Sequence, residues 1–194
     1  MNQDQPLWQS FLQGDKTALS EIFLQFHDDL FRYGLKLAGN ENLVKDAIQD
    51  LFLKLWKNRS NLKPIEILKP YLFKSLRNHL IDSLELTKPI IHLEEDFEHP
   101  FEIVYSAEDF FINAQVTKDL RQQVTDALNK LKPRQREAIY LRYFEELDFE
   151  TIATVMDVNV QSVRNTLHRG IQALRDLVLF QAFLFLLGKV VLYK

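Results

Sequence analysis

The sequence predicts an all-α protein: two small helical domains joined by an acidic linker, the C-terminal one containing a helix-turn-helix. Three observations carry this. Apolar residues recur every three or four positions on both sides of a stretch, residues 86–113, where that period lapses. Only five glycines accompany a 46% hydrophobic content, which suits a folded helical chain. The stretch without a period is also strongly acidic. At 194 residues the chain has room for one large or two small domains. The expected divisions are 1–85, 86–113, 114–177 and a hydrophobic tail, 178–194.

In the first domain "ALSEIFLQFHDDLFRYGLKLAG" places Ile22, Phe23, Phe26, Leu30, Phe31, Leu35 and Leu37 at helical spacing, as one buried stripe requires. Gly39-Asn40 stops this helix, and Asn40 or Asn42 caps the next. "LVKDAIQDLFLKLWKN" puts Val44, Ile48, Leu51 and Leu55 on one face, flanked by Phe52 and Trp56; Asp46, Gln49, Asp50 and Lys54 lie on the other side. A loop with Asn58, Ser60, Asn61 and Pro64 follows. "PYLFKSLRNHLIDSLE" restarts a helix with Pro70 in its first turn, where a missing N–H does no harm.

Pro89 and Pro100 bracket the stretch without a period. Its apolar residues, among them Ile90, Ile91, Leu93, Phe97, Phe101, Ile103 and Val104, predict that it lies on something rather than hanging free in solvent. From about residue 114 four helical segments follow: "VTKDLRQQVTDALNKL", "PRQREAIYLRYFEE", "DFETIATVM" and "VQSVRNTLHRGIQALRDL". Pro133 stands at a helix start, and Asp148 and Asn159 precede the last two helices as N-caps.

Charge is uneven. The net charge is only −3, but residues 85–112 hold eight acids against one lysine, a net of −7. Lys54, Lys57, Arg59, Lys63, Lys69, Lys74 and Arg77 face only Glu66, a local excess of +6. A second basic surface lies in "MDVNVQSVRNTLHRG", residues 156–170, whose one acid is Asp157 at its start. There is no cysteine, which excludes disulfides and thiolate metal sites. The N-terminal "MNQDQPLWQSFLQGDK" lacks a basic region followed by an apolar core, so no secretory signal is expected. Both features lead us to expect a cytoplasmic protein.

Three residues, Asp157-Val158-Asn159, join the last two helices. A helix, a tight turn and a second helix is the unit that lays its second helix in the DNA major groove. Ile152, Ala153, Val155 and Met156 face inward on the first, and Val158, Val163, Leu167, Ile171 and Leu174 on the second, with the small Ala153 at their crossing. Asp157 sits where glycine is common because the backbone is left-handed, and Asp adopts that conformation more readily than most residues. Gln161, Ser162, Arg164, Asn165, His168, Arg169 and Gln172 remain outward, each able to hydrogen-bond a base edge or a phosphate. A solvated basic face is the competing reading of that helix alone.

Residues 131–177, "LKPRQREAIYLRYFEELDFETIATVMDVNVQSVRNTLHRGIQALRDL", resemble the DNA-binding C-terminal domain of a bacterial sigma factor. "LVKDAIQDLFLKLW" with "PYLFKSLRNHLIDSL" resembles that family's promoter-melting domain. Small size and the absence of further domains between them point to the extracytoplasmic-function subgroup of the sigma-70 family.

The resemblance implies several roles. Asp46, Gln49 and Asp50 match the pattern that docks on core RNA polymerase. Tyr71, Lys74, Arg77 and Asn78, with the preceding loop Asn58, Arg59, Ser60 and Asn61, match the segment that reads and opens the −10 element. A flat ring beside cations is what unpaired bases need. Burial in the core is the competing reading for Tyr71 and, with more weight, for Phe73. Gln161, Ser162, Arg164, Asn165, His168 and Arg169 match the helix that reads the −35 element, with Lys132, Arg134 and Arg136 as phosphate contacts. The Arg-rich run that follows the melting helix in many relatives is replaced here by "ELTKPII". The acids of "EEDFE", residues 94–98, fit a segment that threads a path meant for nucleic acid.

The implied partners are core RNA polymerase, promoter DNA and an anti-sigma factor, with no small-molecule substrate and no cofactor. Three placements compete for the tail "LVLFQAFLFLLGKVVLY", residues 177–193: folded back on a domain, docked in a groove of an anti-sigma factor, or on a membrane. A conventional helix-turn-helix regulator that forms no holoenzyme is the rival function. An enzyme is not expected. The only metal-like spacing is Glu95 to His99, inside the linker; the five histidines form no cluster, and there is no Gly-rich phosphate loop.

Overall fold

The computed structural model describes residues 4–65, 67–86, 101–102 and 125–177. Every regular element among them is helical: α1 (Asp4–Leu12), α2 (Lys16–Ala38), α3 (Glu41–Asn58), a 3-10 turn (Arg59–Asn61), α4 (Leu68–Leu86), α5 (Pro133–Tyr143), α6 (Phe149–Met156) and α7 (Val160–Leu177). A helical run also covers 125–129. The chain divides into two compact units, one holding α1 to α4, the other holding α5, α7 and most of α6.

In the first unit the helix ends follow local chemistry. Asp15 caps α2 by accepting the Thr17 N–H at 2.8 Å. Gly39 ends it in the left-handed region (φ 64°), with its N–H donating to Leu35 O at 2.9 Å. Of the two asparagines that follow, Asn40 is the cap, accepting the Leu43 N–H at 3.1 Å. The core joins Ile22, Phe26, Leu30, Tyr33 and Leu37 of α2 to Val44, Ile48, Leu51 and Leu55 of α3 and to Leu68, Leu72, Phe73, Leu76 and Leu80 of α4. Gly34 marks a close approach: a Cβ there would stand 2.8 Å from Val44 Cγ1 and 3.3 Å from Leu80 Cδ1. Leu35, expected in the buried stripe, is 38% exposed. The aligned positions are 22, 26, 30, 33 and 37, and a residue two places from 33 and from 37 points the opposite way.

Helical spacing alone does not single out α1, because nine residues make a marginal helix in isolation. Tertiary burial stabilises it. Trp8 and Phe11 are fully buried, and each such side chain contributes on the order of 2–3 kcal/mol. The Trp8 indole N–H donates to Lys63 O at 3.1 Å, and Asp4 Oδ2 accepts the Leu68 N–H at 3.2 Å. Asp4 therefore caps α4 from 64 residues away.

In the second unit Pro133 occupies the first turn of α5, as expected. Gly170 lies at the contact of α7 with α5, where a Cβ would stand 3.0 Å from Ile139 Cδ1. Phe101, expected in the linker, is buried and sits 5.7 Å from the Tyr140 ring. The linker acids 94–98, the Glu95–His99 spacing and the tail 178–194 lie outside the described residues.

Candidate nucleic-acid interface

The α6–turn–α7 segment is built by side chains that compete for backbone. Asp148 accepts the Thr151 N–H at 2.7 Å and starts α6. Hydrogen bonds from the Thr151 side chain and backbone hold the Asp148 carboxyl below the usual carboxylate range, with Arg142 adding a smaller effect. Asp157 adopts φ 55°, the left-handed conformation the turn demands, and the Val158 N–H donates to Ala153 O at 3.0 Å. Asn159 accepts the Ser162 N–H at 2.7 Å and starts α7. Ile152, Ala153, Val155, Met156, Val163, Leu167 and Leu174 are buried. Val158 is instead 36% exposed, because it lies in the turn, where helical spacing does not govern direction.

Gln161, Arg164, Asn165, His168, Arg169 and Gln172 are exposed along α7, and Ser162 is half-buried. The Gln161 amide donates to Asn165 Oδ1 at 3.0 Å. Arg164 places its guanidinium carbon 5.5 Å from the centre of the Phe149 ring, and Arg142 stands 5.2 Å from the same ring. Phe149 escapes a helical-spacing search because it stands at the first position of α6 beside the cap. Lys132 and Arg134 are exposed at the start of α5. Arg136, grouped with them as a phosphate contact, is only 9% exposed and donates to Asn129 O at 2.9 Å. One turn into α5 it faces the unit rather than the solvent.

In the first unit Asn58, Ser60, Asn61 and Asn78 are exposed, and Lys74 is half-buried. Arg59 lies 4.2 Å over the Trp56 ring and donates to Trp56 O at 2.7 Å. Tyr71 is half-buried, edge-on to Trp8 with ring centres 5.8 Å apart, and burial pushes its hydroxyl above the ordinary value. Phe73 is core. Arg77 is the correction here. At 7% exposure it is buried, not presented as an open phosphate contact. It follows Leu76 and stands four residues after Phe73 and three before Leu80, beside the buried apolar positions of α4.

Between α3, the loop and α4 lies a cavity of about 210 Å³, with Lys54, Asn58, Tyr71, Ser75 and His79 on its wall. Lys54 Nζ stands 3.3 Å from His79 Nδ1, and His79 Nε2 stands 3.5 Å from Asp50 Oδ2. The sequence brings Lys54, Asn58 and Tyr71 forward but not Ser75 or His79, which meet them only when α3 and α4 pack. Asp46, Gln49 and Asp50 are exposed on α3. Gln49 also borders an apolar groove of about 540 Å³ between α2 and α3, floored by Phe23, Ile48 and Phe52. No cluster of three potential metal ligands occurs among the described residues.

Fold and site together define a helix-turn-helix DNA-binding protein that carries a second, separate helical module. Residues 22–88 match the family model for sigma-70 region 2, and residues 121–174 match that for sigma-70, region 4. The chain belongs to the sigma-70 family and is an RNA polymerase sigma factor of the extracytoplasmic-function subgroup.

Among its relatives is the ECF RNA polymerase sigma factor SigE of Mycolicibacterium smegmatis, 27% identical over 84% of this chain and 63% of that protein. Another is the ECF RNA polymerase sigma factor SigW of Bacillus subtilis, 24% identical over 84% of this chain and 90% of that one. The fold is shared with CnrH, solved in complex with the cytosolic domain of CnrY (TM-score 0.61, 19% identity, 90% of this chain and 96% of that one). It is also shared with the sigma factor RpoE, solved with the anti-sigma factor NepR from Bartonella quintana (TM-score 0.58, 21% identity, 81% and 94%).

Proposed function

We propose that this sigma factor reads the −35 element with α7 and opens the −10 element with the 58–61 loop and α4, while Asp46, Gln49 and Asp50 dock on core RNA polymerase. The observation that carries the reading is the exposed face of α7. Arg164, Asn165, His168 and Arg169, with Gln161 and Ser162 in the first turn, offer donors and acceptors with no acid among them. Arg suits guanine and Asn suits adenine in bidentate pairs, each discriminating by about 1–3 kcal/mol. Lys132 and Arg134 neutralise phosphates without reading sequence.

At the −10 element an unpaired base costs a few kcal/mol to extrude, and a pocket must recover it. The cavity beside Asn58 and Tyr71 supports that role, with Ser60, Asn61 and Lys74 outside it as contacts to the strand. Tyr71, half-buried and in a T-shaped contact with Trp8, is the aromatic ring on that wall. Exposed carboxylates at Asp46 and Asp50 favour a basic partner surface, and the groove beside Gln49 adds apolar area. Residues 86–113 serve as the acidic connection between the two reading domains. We assign the protein to the cytoplasm, where its template lies; no described helix is long and apolar enough to cross a membrane. Its inhibitor is a protein of the anti-sigma class, as in the RpoE complex with NepR.

Run-off transcription with purified core polymerase on promoter libraries tests the reading. Promoter-specific transcripts that appear only when both components are present are expected. Tight palindrome binding by a dimer without polymerase would instead establish the conventional regulator.

A further inference from the structure

The geometry points to Phe149 as a positioning residue for −35 reading, its ring holding the Arg164 guanidinium in place on the exposed face of α7. This rests on the proposal that Arg164 touches a base.

A base-reading arginine has conflicting needs. Its long side chain must be ordered before DNA arrives, because ordering it on contact subtracts from discrimination. It must also keep its N–H donors free for guanine O6 and N7. A carboxylate partner would order the side chain by taking those donors. An aromatic ring attracts the cation through its quadrupole and leaves them unspent.

Arg164 has that arrangement: its guanidinium carbon lies 5.5 Å from the Phe149 ring centre. Its neighbours one turn away on α7, Val160, Gln161, Leu167 and His168, include no acid. The ring is itself anchored. Phe149 opens α6 next to its N-cap, Asp148, and Arg142 stands 5.2 Å from the ring while donating to Leu147 O at 2.8 Å. A leucine at 149 would fill similar space with no quadrupole.

The test uses core polymerase reconstituted with the full chain and a promoter library randomised across the −35 element, with bound DNA sequenced. R164A should flatten the preference at one or two base pairs. F149L should weaken the preference at those same pairs about 2- to 5-fold, the worth of an exposed cation–π contact, and leave the other pairs alone. F149Y should keep it, and F149L should add nothing in an R164A background. An unchanged preference in F149L at the Arg164-dependent pairs, or an equal further loss in the double variant, overturns the positioning role. Should R164A change no preference, base reading by Arg164 fails first and the inference falls with it. If F149L does not fold, F149M takes its place with the same outcomes.

Discussion

Asn159 and Asp148 each satisfy a backbone N–H that would otherwise open a helix unpaired, and each stands at the foot of one of the two helices that build the reading motif. Asn159→Ala is expected to lower unfolding free energy by about 1 kcal/mol in urea denaturation, the usual worth of an N-cap. Asp148 adds a pH dependence. Its carboxyl is held low in the folded chain, so its contribution is fully present above the unfolded carboxylate value and is lost as pH falls through the folded one. Asp148→Asn keeps a cap but cannot titrate. The stability gap between the two chains should therefore narrow in melting curves taken from about pH 5 down to pH 2. Both caps were legible in the sequence because a cap is a local device. Arg77 was not. Basic composition predicted an exposed cation, while burial is decided by what α4 packs against.

At the scale of the helix, Gly34 and α1 set the packing of the first unit. Gly34→Ala gains helix propensity of about 0.5–1 kcal/mol but forces a methyl against Val44 and Leu80. Overpacking costs about 1–3 kcal/mol, so net destabilisation is expected as a lower urea midpoint. Trp8→Ala should cost about 3–5 kcal/mol, a large share of an ordinary domain's stability. The long helices α2, α3 and α4 could be read from spacing because their apolar stripes repeat over several turns. α1 could not. Its Trp8 indole and its Asp4 carboxylate act on residues 63 and 68, and no window of sequence shows that. The same limit hid Ser75 and His79, which share a cavity wall with Lys54, Asn58 and Tyr71 although these come from different segments.

For the whole molecule the distribution of charge matters more than its total. A net charge of −3 opposes long-range attraction to duplex DNA, so the free chain should bind promoter fragments weakly and as a monomer. Replacing Lys132 and Arg134 together by alanine should weaken holoenzyme binding alike on all sequences. It should also flatten the plot of log affinity against log salt by about 1.8, because two fewer phosphates are neutralised. The two-domain order and the acidic stretch between were visible in the sequence because period and charge change together there. Phe101 lies against Tyr140 in the second unit, in keeping with the expectation that the apolar residues of the acidic run lie on something.

The left-handed backbone at Asp157 has a consequence for how such proteins diverge. That codon is held by geometry, and a mutational scan there should return little beyond glycine, asparagine and aspartate. The solvent-facing positions of α7 carry no such structural burden. On the proposed reading, substitutions at those positions change promoter preference while the scaffold stays the same.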